Sequence, residues 1–225
     1  MQDIELLNGI SWHLECMVLA ATAIDNFRPP ADGTQMRMYY SLYLTNLISA
    51  IDMVSEFEPK SPDSKFKKAL ENNLKTSNFS GADVLDYLRE LRHGIVHRGV
   101  DPTSGGVVIG NVVYATAPEV RNRSNSRHYT APAHLLRDIF IHCEIGAKPI
   151  IERFLEPSIE KVTSAKPEAM LKDMFNAIEL VPHMPNWVKE MAYKNTDSEM
   201  LIKARTYFIQ KLRGLLKPPI GHRIT

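Results

Sequence analysis

The sequence predicts an all-α fold, a helical bundle of four to five helices with a small β-hairpin insertion and a C-terminal helical extension. Three observations carry this. Apolar residues recur at steps of three and four through four long segments. Pro29-Pro30, Pro59 with Pro62, and Gly99 close the first three of those segments. Only one short stretch, near residues 106–115, sets two short apolar runs about a Gly-Asn turn as a hairpin does.

The first long helix places Leu7, Ile10, Leu14, Met17, Ala21 and Ile24 on one face and ends before Pro29-Pro30. A second runs from about Gln35 to Phe57 with Tyr40, Tyr43, Leu47, Ala50 and Val54 together, and Pro59 and Pro62 close it. Tyr39, Tyr40 and Tyr43 read as core and interface residues rather than base-stacking platforms. Phe66, Leu70 and Leu74 form a short helix. Ser80 then serves as N-cap, with Asp83 in the first turn, to a helix carrying Val84, Leu88, Leu91 and Ile95, which stops at Gly99.

Beyond Gly99, Asp101-Pro102 and Ser104-Gly105-Gly106 are turn formers, and Val107-Val108-Ile109 and Val112-Val113-Tyr114 flank Gly110-Asn111 as the two arms of the hairpin. A basic loop from Val120 to Tyr129 contains no acidic residue. The fourth long helix carries Leu136, Ile139, Cys143, Ala147, Ile150 and Phe154 and bends at Pro149. A bundle occupying 1–156 is followed by an extension, 157–225. There a helix after Pro167 carries Met170, Met174 and Ile178, Pro182 and Pro185 interrupt, and a last helix spans Ser198–Leu216 before Pro218-Pro219.

The 225 residues, 44% hydrophobic and 24% charged, supply a sizeable core, and the net charge of +1 leaves any attraction for nucleic acid to local patches. One patch is the basic loop. Another is the acid-free run after Glu199, which holds Lys203, Arg205, Lys211, Arg213, Lys217 and Arg223. Cys16 and Cys143 sit on apolar helix faces, so no disulfide framework is expected. The acidic start and the lack of any run near ~20 apolar residues point to a soluble, cytoplasmic protein with no membrane partner. No internal repeat or Gly-rich phosphate loop occurs.

Chemistry concentrates in Arg92-His93-Gly94-Ile95-Val96-His97, because arginine can hold a phosphate and histidine can move a proton. At 100° per residue, His93 and His97 share the face opposite the apolar arc, whereas Arg92 lies roughly 140° from His97. A straight helix therefore does not build a site from all three. Either its last turn is distorted near Gly94 and Gly99, or long arginine reach and a second copy of the helix complete it. The structural alternative pairs Arg92 with Asp52 or Glu56 of the second helix and leaves His97 as a cation at a helix C-terminus. His134 and His142 are too far apart along their helix to share a metal ion. His142-Cys143-Glu144, Ser11-Trp12-His13 and Cys16 show no nucleophile arrangement.

The Arg92 to His97 spacing, with a polar residue directly after the arginine, resembles the R-x4-6-H motif of HEPN domains, as does its place near the end of a third long helix. The resemblance spans roughly Asp3 to Glu156. It implies a HEPN-like helical bundle that forms a homodimer with the two motifs meeting in a cleft. It further implies a metal-independent endoribonuclease of a toxin-antitoxin, antiphage defence or RNA-processing system, with no cofactor. Arg92 would neutralise the scissile phosphate and His97 would act as acid or base, with His93 contacting the phosphate or supporting His97. Arg89 and Arg98 would be nearby phosphate contacts, and Arg121, Arg123, Arg127 and His128 of the basic loop would bind RNA. An antitoxin or other regulatory protein is a candidate further partner. Some members only dimerise or bind nucleic acid, which gives a second expectation: a non-catalytic module that binds RNA or a protein through the dimer and the basic loop.

Overall fold

A computed structural model describes residues 2–57 and 64–219, of which most are helical. Pro59, Pro62 and Arg223 lie outside the described residues. In chain order the elements are α1 (Gln2–Ile24), α2 (Gly33–Phe57), α3 (Lys65–Leu74), α4 (Gly81–Arg98), β1 (Gly106–Ile109), β2 (Val112–Ala115), β3 (Val120–Arg121), β4 (His128–Tyr129), α5 (Leu136–Ser164), α6 (Pro167–Glu179), α7 (Asn186–Asn195) and α8 (Ser198–Leu216). Helical-bundle architecture is what the apolar periodicity predicts. Among the described residues no helix is long and apolar enough to cross a membrane.

α2, α3, α4 and α8 begin where a side chain takes up free backbone N–H groups of the first turn. Asp32 accepts from the amides of Thr34 and Gln35 at 2.8 and 3.2 Å, which starts α2 two residues before Gln35. Ser64 accepts from Lys67 N at 3.0 Å, and Ser80 from Asp83 N at 3.1 Å. α4 ends on Gly99, whose φ of 70° is the left-handed conformation that glycine adopts without a Cβ penalty. Both the Gly99 and Val100 amides return to Gly94 O, the latter at 3.0 Å, so the last turn is closed and regular through Arg98.

α1, α2, α4 and α5 surround one apolar core. Leu7, Ile10, Leu14 and Met17 of α1 meet Tyr43, Leu47 and Ile51 of α2, with Val84, Leu88 and Leu91 of α4 fully buried as the spacing predicts. Phe140 of α5 stacks on Tyr43 at 4.3 Å between ring centroids with 10° between planes. α3 and α4 approach so closely that a Cβ on Gly81 would stand 1.8 Å from Glu71 O.

α5 continues through Pro149 and Pro157 to Ser164, ten residues past Phe154. Its apolar face explains the continuation: Ile150, Ile151, Leu155 and Ile159 are all buried, and that burial offsets the amide hydrogen bonds the two prolines cannot make. The boundary read between residues 156 and 157 thus falls inside one helix. α8 returns to the bundle, burying Ile209, Leu212 and Leu216, while Arg213 reaches Glu156 at 2.5 Å and Lys211 reaches Glu15 at 2.8 Å. α6 and α7 bury no residue of their own.

α5 is enclosed on several sides, so that consecutive His142, Cys143 and Glu144 are all buried. His142 Nε2 lies 2.9 Å from Leu74 O, which ties α5 to the end of α3. Tyr43 donates its hydroxyl proton to Glu144, Lys148 pairs with the same carboxylate, and Arg137 grips Asp25 with two bonds of 2.8 and 2.7 Å. Burial pushes the Cys143 thiol well above its ordinary range, so it is an inert core residue.

The strands form two separate antiparallel pairs. β1 pairs antiparallel with β2 through Gly106↔Ala115 and Ile109↔Val112, and Gly110 and Asn111 take φ of 54° and 67° in the turn between them. Val113 N donates to Phe27 O at 3.0 Å and Ala115 N to the Tyr40 hydroxyl at 3.1 Å, which seats the hairpin on α1 and α2. The basic loop is more ordered than a loop reading implies. Val120↔Tyr129 and Arg121↔His128 form a two-rung antiparallel ribbon, β3–β4.

Candidate active site

α4 presents two chemically different faces. Its apolar arc is buried in the bundle, and His93 and His97 project from the opposite side, one turn apart with ring centroids 6.2 Å from each other. Both are exposed. Gly94 lies between them and is buried, because a Cβ there would stand 3.0 Å from the Val100 side chain and 3.4 Å from an Arg98 terminal nitrogen. Its absence leaves room for Arg98 to lie back along the helix.

The β3–β4 ribbon packs on α4 beside this face. Arg98 donates to Arg121 O in the ribbon, to Glu90 O at 2.9 Å and to Glu90 Oε2 at 3.2 Å. Arg127 pins the other end, lying 3.4 Å from Asp86 and 3.6 Å from Asp83, with its guanidinium over the Tyr129 ring at 4.7 Å. Tyr87 donates its hydroxyl proton to Pro118 O at 2.9 Å, fixing the segment that leads into the ribbon. The turn is set by Asn122, whose side-chain oxygen accepts from Ser126 N at 2.9 Å and Arg127 N at 3.1 Å, while its backbone N–H donates to Arg127 O at 3.1 Å. Between ribbon and helix an open cleft of about 510 Å³ is lined by Glu90, His93, His97, Arg98 and Arg123.

The structure therefore brings together His93, His97, Arg98 and Arg123 of the residues singled out in the sequence. It does not bring Arg92 to them. Arg92 turns toward α2, where its guanidinium lies 3.9 Å from Asp52, and Arg89 reaches the same carboxylate at 2.9 Å. These side chains are about one-third exposed, so each pair contributes at most about 1 kcal/mol. The helical wheel anticipates this separation: with α4 regular to its end, the distorted last turn is absent and the two faces stay apart. Arg98 and Arg127 hold the ribbon to α4, and Arg121 and His128 are exposed rungs of it.

Glu90 is the cleft residue that sequence reading did not single out. Its Oε1 lies 3.7 Å from His93 Nδ1 while Oε2 holds Arg98, so one carboxylate faces both a candidate proton carrier and the ribbon clamp. The i, i+3 spacing to His93 was the available signal. The spacing to Arg98 carried none, because an arginine eight residues on meets it only by folding back.

Cation, imidazole and open space in one cleft suit an anionic ligand that needs proton transfer. A phosphodiester seated there could accept hydrogen bonds from guanidinium nitrogens while two imidazoles exchange protons with it. Among the described residues no three His, Cys, Asp or Glu side chains converge as a metal site requires. Comparison with protein-family models, with curated proteins and with solved structures finds no match for this chain.

Proposed function

We propose that the protein is a metal-independent endoribonuclease of HEPN type, acting as a homodimer on cytoplasmic RNA in a toxin-antitoxin, antiphage defence or RNA-processing setting. The observation that carries this reading is the pair of exposed imidazoles, 6.2 Å apart, opening on a cleft that also holds the Arg98 and Arg123 guanidinium groups.

In this reading the ribose 2′-hydroxyl attacks the adjacent phosphorus. One imidazole, His97 or His93, takes the hydroxyl proton as the new P–O bond forms, and the other gives a proton to the departing 5′-oxygen as the old bond breaks. The products are a 2′,3′-cyclic phosphate and a free 5′-hydroxyl. Guanidinium groups balance the charge that builds on the non-bridging oxygens. In the dimer a second α4 would bring another histidine pair beside the same RNA strand.

The shared ion pairing of Arg89 and Arg92 with Asp52 favours a second reading, in which the motif arginine is structural and the domain is a non-catalytic module that binds RNA or protein. Incubating the protein with mixed RNA in EDTA, beside folded His97→Ala and Arg92→Ala variants, separates the two. Cleavage by the wild type that falls by about 10²- to 10⁴-fold in His97→Ala is the expected result. A folded, RNA-binding dimer that cleaves nothing, or a His97→Ala variant as active as the wild type, overturns the enzyme reading. A monomer at assay concentration removes the composite site.

A further inference from the structure

The two guanidinium groups of the cleft are committed differently. Arg98 spends its nitrogens on Glu90 O, Glu90 Oε2 and Arg121 O, and its side chain is only 25% exposed. Arg123 lines the same cleft, is exposed, and makes no hydrogen bond or ion pair with the described residues. Arg92 faces Asp52 on the far side of the helix.

Arg123 is nevertheless well placed. Arg121 on one side is gripped by Arg98, Arg127 on the other is held by Asp83 and Asp86, and the intervening turn is closed by the Asn122 side chain. The backbone that carries Arg123 is thus anchored to α4 at both ends, so only side-chain freedom is lost when the guanidinium engages a ligand. A planar fork of donors with no partner among the described residues, beside two imidazoles, matches the geometry of a phosphate.

We propose that Arg123, and not the Arg92 of the same chain, holds the reacting phosphate against His93 and His97. The proposal deepens the ribonuclease reading, on which it rests for the identity of the phosphate as an RNA diester. The ribbon then forms the wall of the active site, and Arg98 serves as its clamp.

Inorganic phosphate, titrated at fixed pH and ionic strength while the ring C–H signals of His93 and His97 are followed by NMR, tests this without requiring cleavage. The wild type and Arg92→Ala are expected to show saturable shifts with dissociation constants within twofold of each other. Arg123→Ala is expected to bind at least tenfold more weakly, with Arg123→Lys in between because it keeps the charge and loses the fork. Unchanged affinity in Arg123→Ala, an equal loss in Arg92→Ala, or no phosphate-dependent shift in the wild type overturns the proposal. The two claims fail separately. Arg123-dependent phosphate binding by a protein that cuts no RNA supports the phosphate site and removes the enzyme, whereas RNA cleavage that survives Arg123→Ala overturns the role of Arg123 alone.

Discussion

Replacing Arg98 by alanine removes a side chain that joins the helix carrying the histidines to the ribbon facing them. Three acceptors lose a charged donor: Arg121 O, Glu90 O and Glu90 Oε2. A hydrogen bond to a charged group nets about 1.5–3 kcal/mol where water is kept away, and an exposed ion pair about 0–1 kcal/mol. Arg98 is one-quarter and Glu90 one-fifth exposed, and the ribbon lies at the surface, so the combined loss is placed at about 2 kcal/mol. Because the ribbon has only two rungs, the loss falls on its local opening rather than on the bundle. Amide hydrogen exchange of residues 121–129 should accelerate by roughly 30-fold, the factor that corresponds to 2 kcal/mol, while the buried amides of α1 and α2 keep their wild-type rates. Arg98→Lys, which keeps the charge and loses the fork, should fall between. Unchanged exchange in 121–129, or equal acceleration throughout the bundle, would refute the clamp.

Other perturbations have equally definite outcomes. Ser80→Ala removes the α4 N-cap and should cost about 1 kcal/mol, read as a melting temperature lower by roughly 2–4 °C, with phosphate binding at the other end of the helix unchanged. Gly81→Ala places a methyl group 1.8 Å from Glu71 O and must drive α3 from α4, so urea unfolding should show a loss above about 2 kcal/mol where a helix-interior glycine would otherwise gain from alanine. The hydrogen bond from Lys211, helped by Ser11, holds the Glu15 carboxyl below its ordinary range, and Lys161 with Ser158 does the same for Asp3. Folded values lower than unfolded ones contribute stability that is complete above about pH 4.5 and lost as pH falls through the lowered values. Glu15→Gln should therefore flatten the pH dependence of stability below pH 4.5 and leave its slope above pH 6 unchanged, as measured by denaturant titration across that range.

What could be read from the sequence was mostly local. Ser80 and Gly99 bound α4 by hydrogen bonds within a few residues of themselves, and Gly110-Asn111 makes its turn from its own left-handed backbone. The opposition of Arg92 to His93 and His97 follows from helical periodicity alone, and it holds because α4 is regular to its end. The ribbon was hidden because two-residue strands show no alternation, and its turn is held by the Asn122 side chain rather than by a glycine. The boundary read at Pro157 suggested an end to the helix there, but α5 runs on to Ser164 because Ile159 is still buried beyond it. The apolar stripe of α8 was visible. The surface it covers, on α5 and α1, was not, since periodicity shows that a face is buried and never against what. Glu90 and Arg123 became cleft residues only when the ribbon folded over α4.

The most direct test of the two-imidazole chemistry uses one RNA strand and its 2′-O-methyl counterpart, incubated in EDTA with the wild type and with His97→Ala, followed by mapping of the cleaved ends. The account predicts that the wild type cuts the RNA, leaves 2′,3′-cyclic phosphate and 5′-hydroxyl ends and spares the methylated strand, and that His97→Ala loses the cut. Cleavage of the methylated strand, ends bearing 5′-phosphate, or no cleavage by a folded dimer across a mixed RNA pool would contradict it.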